Sequence, residues 1–291
     1  MSAPPSALRR QPRPKERALP DQRGPWFQRS RVDTQVTNPA SGARLAVCIT
    51  YPRETGRRPL LVLAPGGLSA GSLSFGVSGI ADRYASRGFV VAHFDPDGRG
   101  SSEGHEDFCG PIHQEGLAAV VSEAAAHVSV DPERIAVVSF CLGGIAAAGA
   151  LARHPELPVR LYVDWEGPAL RRHALRVIST RTEGVEPPRP DDEDWWGERE
   201  AMTLIRRVRV PYQRVQSSPD HAQPAADHAL DMVCNATRPQ HGGHGQSPWT
   251  RLNGKLPNRC HDLESAGTFL PVIPAEVAVL AYLAELLPAA G

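Results

Sequence analysis

Net charge is missing from this sequence. Lys plus Arg and Asp plus Glu both number 32, so the formal charge is zero, and no excess of either sign directs the chain to nucleic acid or an anionic membrane surface. Long apolar runs are missing too; none approaches the roughly 20 residues that a membrane-spanning helix requires. The N-terminal stretch has no apolar core of the kind a secretion signal carries, because Leu8 and Leu19 stand isolated among Arg and Pro. Five cysteines, an odd number without short regular spacing, do not make a disulfide framework. There is no internal repeat, and nothing implies a cofactor. The expected compartment is the cytoplasm, where a cysteine can stay a thiol and be used.

What is present suits a soluble enzyme. With 41% hydrophobic and 22% charged residues over 291 positions, there is material for one α/β domain with an insertion. Residues 1–31 are rich in Arg and Pro and lack a periodic apolar pattern, so a poorly ordered basic arm is expected there. From 32 to 291, apolar β-rich runs alternate with helical patterns, which predicts a mostly parallel sheet with helices on both faces. Strands are expected at Leu45–Tyr51, Leu60–Ala64, Phe89–Phe94, Ile135–Ser139, Leu161–Val163 and Val210–Gln216. Helices are expected at Ile80–Arg87, Gln114–His127, Ile145–Arg153, Ala225–Cys234 and Ala275–Leu287. Residues 168–208 interrupt the alternation with prolines and an acidic run beside Trp195-Trp196, and read as a lid insertion. Residues 235–271 read as loop.

The run Ser139-Phe140-Cys141-Leu142-Gly143-Gly144 carries the clearest chemistry. A strand, a small-x-nucleophile-x-Gly turn and a helix form the setting of a nucleophile elbow. The turn is so tight that its flanks must be small, here Ser139 and Gly143. The following helix brings its positive end to the sulfur and favours the thiolate. The Leu142 amide is then one half of an oxyanion hole. A buried packing cysteine is the competing reading, and the Gly143-Gly144 pair argues against it.

On this turn the chain resembles the α/β-hydrolase superfamily, and within it the dienelactone hydrolase-like group, whose elbow is Gly-x-Cys-x-Gly-Gly. Ser139 replaces the first Gly. Three further motifs carry the resemblance from about residue 45 to 287. Phe94–Gly104 looks like the family's Asp-x-Arg-Gly-x-Gly-x-Ser loop and reads mainly as a structural turn. Pro65-Gly66-Gly67-Leu68 ends a central strand where the family places its second oxyanion amide, so Gly67 or Leu68 is the donor the resemblance implies. Gln216–Pro224 is similar to the loop that carries the triad acid, which makes Asp220 the acid implied, with Asp164 as the alternative.

The order nucleophile, acid, histidine puts the base after Asp220. The resemblance favours His244 in its Gly-rich setting, with His261 and His241 as alternatives; His221 and His228 are set aside as too close to the acid. Trp165 and Glu166, at a strand's C-terminal end, are expected either to line the pocket or to serve the packing. His241, His244, Cys260 and His261 have zinc-capable side chains but no firm ligand spacing, so no metal is expected. The implied function is hydrolysis of an ester, lactone or thioester of a small molecule, with no nucleic-acid or membrane partner. A non-catalytic scaffold, or an acyl transferase or cyclase using the same elbow, stays open.

Overall fold

The computed structural model describes residues 27–181, 189, 191–255 and 279–283. Among the described residues eight strands follow one another: β1 (Arg29–Thr37), β2 (Arg44–Pro52), β3 (Arg58–Ala64), β4 (Val90–Phe94), β5 (Val130–Phe140), β6 (Leu161–Trp165), β7 (Tyr212–Val215) and β8 (Thr250–Leu252). They form one sheet in the order β1-β2-β4-β3-β5-β6-β7-β8. The β1–β2 and β2–β4 pairs are antiparallel, and every pair from β4–β3 through β7–β8 is parallel. The helices are α1 (Ile80–Ala85), α2 (Pro111–Ala125), α3 (Gly143–Arg153), α4 (Arg171–Arg181), α5 (Glu193–Gly197), α6 (Ala201–Leu204) and α7 (His228–Ala236).

The continuous apolar run of β3 explains the layering. Successive side chains point to opposite faces, so Leu60, Val62 and Ala64 join one core and Leu61 and Leu63 the other. The first core takes Leu117, Val120 and Val121 from α2 and Ile145 and Ala147 from α3. The second takes Tyr84 from α1 together with Phe75, Val279 and Leu283. Each fully buried Leu or Val contributes about 1.5–3 kcal/mol over its exposed state. Both faces are covered, as a parallel sheet requires.

Two expectations need correction. β1 starts at Arg29, inside the stretch expected to be a disordered arm. It is an edge strand paired on one side, and its mostly exposed residues hide the strand pattern. β8 lies within the expected loop, and at three residues it is too short to show a period. The expected insertion between β6 and β7 is largely helical, holding α4, α5 and α6. Of the helix expected at Ala275–Leu287, residues 279–283 are helical and the rest lie outside the described residues. Among the described residues no helix is long and apolar enough to cross a membrane.

One polar row runs through the core. Ser139, Asp164 and Arg214 are register partners across β5, β6 and β7. The Asp164 carboxylate accepts from Ser139 Oγ at 3.0 Å, Tyr212 OH at 2.9 Å and Arg214 Nη1 at 2.6 Å. Asp164 and Arg214 are both fully buried. Breaking such a pair from one side leaves an uncompensated charge. Arg214→Met is therefore expected to cost about 3–5 kcal/mol in urea unfolding, and the double variant Asp164→Leu/Arg214→Met considerably less.

Candidate active site

Parallel strands deliver their C-terminal ends to one edge of the sheet. There β3 runs into Pro65, β5 into Cys141, β6 into Glu166 and β7 into Gln216. Cys141 has φ +51°, a left-handed conformation that costs a side-chain-bearing residue energy and is held only where the surroundings impose it. Close packing imposes it here. A Cβ on Gly143 would stand 2.6 Å from the Ala64 carbonyl oxygen and 2.7 Å from that of Pro65. A Cβ on Gly66 would meet Phe140 O at 2.8 Å and Cys141 Cβ at 2.9 Å. The β3 loop and the elbow thus touch backbone to backbone. The Cys141 N–H donates to Trp165 O at 2.9 Å, tying the elbow to the end of β6. Leu142 stands at the N-cap of α3, and among the described residues its N–H has no acceptor within the chain. Ser139 uses its hydroxyl in the buried row, bonding Tyr162 OH at 3.0 Å as well as Asp164. A glycine there could make neither bond.

The imidazole at this edge belongs to His221. Its Nδ1 lies 2.6 Å from Glu166 Oε2, and its ring is stacked on Trp165 with centroids 4.4 Å apart. Its buried Nε2 has no hydrogen-bond partner among the described residues, and Cys141 is among the groups whose proximity acts on the ring's protonation. Glu166, 2% exposed, has φ +49°, which turns it out of the strand toward the β7 loop. Its Oε1 accepts from the Ser217 N–H at 2.8 Å and from the Ser217 hydroxyl. Its Oε2 accepts from the His221 N–H at 3.1 Å besides the ring.

Asp220 also stands beside the ring, with Oδ1 3.4 Å from Nδ1, but its carboxylate mainly shapes the loop. It accepts from the N–H groups of Ala222 at 2.8 Å and Gln223 at 2.9 Å, and from Gln216 Nε2 at 2.7 Å. Burial raises its pKa, and those bonds together with His221 outweigh it and lower the pKa. For His221 burial acts downward. The influence of nearby Cys141, the bond to Glu166 and the charge of Asp220 prevail and lift the pKa to about 9.

His244 and His241, two of the three histidines offered by sequence, do not come here. His241 and His244 lie on the connection from α7 into β8, which enters the parallel sheet at the opposite edge from Cys141, and both are exposed. The glycines that suggested a mobile loop are needed for packing. A Cβ on Gly243 would fall 2.1 Å from Thr237 O, and one on Gly245 2.3 Å from Ala236 O. His261 and Cys260 lie outside the described residues. Asp164, the alternative acid, is committed to Arg214 within the sheet. Glu166, expected as a pocket residue, contacts the imidazole, and Trp165 packs on it. His221 was missed because the acid was assigned to its own loop. The carboxylate two positions beyond Asp164, just past the strand end, was the available signal.

Glu166, Asp220 and His221 each offer a ligand atom, all within 4.8 Å of one another, so they could surround a metal ion. Their atoms are already matched to each other and to N–H donors, and a cation would have to displace those donors. The arrangement serves an imidazolium better than a metal.

No family model matches the chain. Among curated proteins, the uncharacterised peptidase YtmA of Bacillus subtilis (strain 168) is 26% identical over 189 residues, which are 62% of this chain and 70% of YtmA. Among solved structures, DcsB in complex with its substrate analogue superposes with a TM-score of 0.59 at 16% identity, over 89% of this chain and all of that one. The Pyrococcus furiosus esterase Pf2001 superposes with a TM-score of 0.60 at 13% identity, over 90% of this chain and 93% of the esterase. The chain has the α/β-hydrolase fold. Within that fold Cys141 occupies the strand-turn-helix elbow, and the imidazole stands on the β7 loop with its carboxylate on β6.

The raised pKa of His221 ties this geometry to folding. A group whose pKa is higher folded than unfolded stabilises fully below its unfolded value, near 6.5, and loses that contribution as pH rises through about 9. Unfolding free energies of the wild type and His221→Gln are therefore expected to differ more at pH 6 than at pH 10.

Proposed function

We propose that the protein is a hydrolase of ester-type bonds (ester, lactone or thioester) that works through Cys141, His221 and Glu166. The observation that carries this reading is the imidazole bonded to the Glu166 carboxylate and packed on Trp165, the residue whose carbonyl holds the Cys141 elbow. The His221 imidazolium, oriented by Glu166 and stabilised by it and Asp220, pairs with the Cys141 thiolate. The thiolate attacks the carbonyl carbon, and the Leu142 amide with one from the β3 loop receives the oxyanion. The imidazolium returns its proton to the leaving group, and a water activated by His221 then releases the acyl group from sulfur. The cysteine elbow, similar to that of the dienelactone hydrolase-like group, supports ester-type substrates. The peptidase name of YtmA favours amide bonds as the second reading.

The test is turnover of a panel of p-nitrophenyl esters and thioesters. Cys141→Ala should abolish it. His221→Ala should lower kcat by about 10²–10⁴-fold, and His244→Ala should leave it unchanged. Full activity in Cys141→Ala, or loss in His244→Ala with retention in His221→Ala, would overturn the assignment.

The pH profile gives an independent check. Leaving-group protonation needs the imidazolium, so activity should decline on an alkaline limb near the His221 pKa of about 9. Glu166→Gln removes a group that raises this pKa, so its limb should move to lower pH. An unmoved limb would argue against Glu166 as the partner.

A further inference from the structure

The Phe94–Gly104 motif is mostly structural in the way its glycines suggest. Asp95 accepts from the N–H groups of Ser72 at 2.8 Å and Ser101 at 2.9 Å, and Asp97 accepts from Asn38 Nδ2 at 2.7 Å. Arg99 is different. It is 4% exposed, and its guanidinium leaves its own loop for the one at the end of β3. Nη1 donates to the carbonyl of Gly67 at 3.1 Å and, more weakly, to that of Ser69 at 3.5 Å. The other edge is held in a two-point bond to Glu106, Nε to Oε2 at 2.6 Å and Nη2 to Oε1 at 2.7 Å. Glu106 is itself fixed by the Phe108 N–H at 2.7 Å. A planar fork clamped along one edge has little freedom to swing.

The carbonyl it reaches belongs to a peptide that could otherwise turn over. Ser69 N–H bonds Gly66 O at 3.3 Å, closing a four-residue turn with Gly67 and Leu68 in the middle. Gly67 has φ +58° and Leu68 is not left-handed, the pattern of a type II′ turn. Rotating the central peptide by half a turn gives type I′, which needs a left-handed residue at Leu68 as well. In a planar trans peptide the carbonyl and the next N–H point in opposite directions. Fixing the Gly67 oxygen on Arg99 therefore fixes the Leu68 N–H on the other side. Gly66 of this turn packs directly against Cys141.

We propose that Arg99 is a positioning residue: its hold on the Gly67 carbonyl orients the Gly67–Leu68 peptide so that the Leu68 N–H, rather than that of Gly67, is the second oxyanion donor. This rests on the proposed Cys141 chemistry. The guanidinium touches no reacting atom, and Glu106 keeps it in place.

Two reactions of the same sulfur separate the role from general damage. Acylation by p-nitrophenyl acetate passes through an oxyanion; alkylation by iodoacetamide is a direct displacement at carbon and needs no oxyanion hole. Arg99→Met is expected to lower the acylation rate constant roughly ten- to hundredfold, with KM within about twofold and Cys141 alkylation unchanged. Arg99→Lys, which keeps one donor, should recover part of the loss. Leu68→Pro deletes the N–H itself and should reproduce the Arg99→Met pattern without requiring any change at Arg99. Acylation and alkylation falling together in Arg99→Lys, or wild-type acylation in either Arg99→Met or Leu68→Pro, would overturn the inference. A wild-type protein that shows no acylation at Cys141 would instead overturn the proposed function.

Discussion

A carboxylate buried to the extent of Glu166 must have its lone pairs filled, and the donors that fill them decide what surrounds it. All four come from the stretch between Ser217 and His221: two from Ser217, and two from the backbone and ring of His221. One side chain from the end of β6 thus gathers the loop after β7 and sets its imidazole at the elbow. The left-handed backbone at Glu166 is part of the same device, since it turns the side chain across to the neighbouring loop. Removing the carboxylate would free both the tautomer of the ring and the path of the loop.

Two carboxylates two residues apart at the end of β6 do unrelated work, and position alone separates them. Asp164 lies within the strand, where register places it between Ser139 and Arg214; its charge is neutralised there, under the elbow. Glu166 lies beyond the last ladder pair of β6 and is free to reach sideways. The buried row also accounts for Ser139, where the related elbow motif has glycine. The hydroxyl faces Asp164 and Tyr162, and the space near the nucleophile is kept open by Gly66 and Gly143 instead.

This contrast explains what the sequence made legible. Continuous short apolar runs such as Leu60–Ala64, and the glycine pair after Cys141, record constraints local to a few neighbouring residues. The central sheet, the elbow and the β3 loop could therefore be read directly. β1 and β8 could not, because an exposed edge and a three-residue strand leave no period to detect. The residue proposed as the base was out of reach for another reason. Its identity depends on which strand end supplies the acid, a relation between Glu166 and His221 that spans 55 positions. Gly242, Gly243 and Gly245 looked like a flexible setting for His244, yet two of them are small because α7 passes within a Cβ's reach.

The polar row under the elbow and the imidazole above it are not independent. Arg214 donates to Gln216 Oε1 from Nη2 at 2.6 Å, and Gln216 Nε2 donates to Asp220 at 2.7 Å. An amide bonded in this way can point only one way round, its oxygen toward the guanidinium and its nitrogen toward the carboxylate. The charge of Arg214 is thereby felt at Asp220 through an oriented dipole, which keeps Asp220 ionised beside His221. Asp220 in turn bends the chain through the N–H groups of Ala222 and Gln223, and that bend carries the imidazole. The residue read from sequence as the orienting acid thus acts on the histidine chiefly by holding the loop, while the direct bond to the ring passes to Glu166. With the Glu166 carboxylate just past the end of β6, the β7 loop can present the imidazole itself, and one short segment serves both carboxylates.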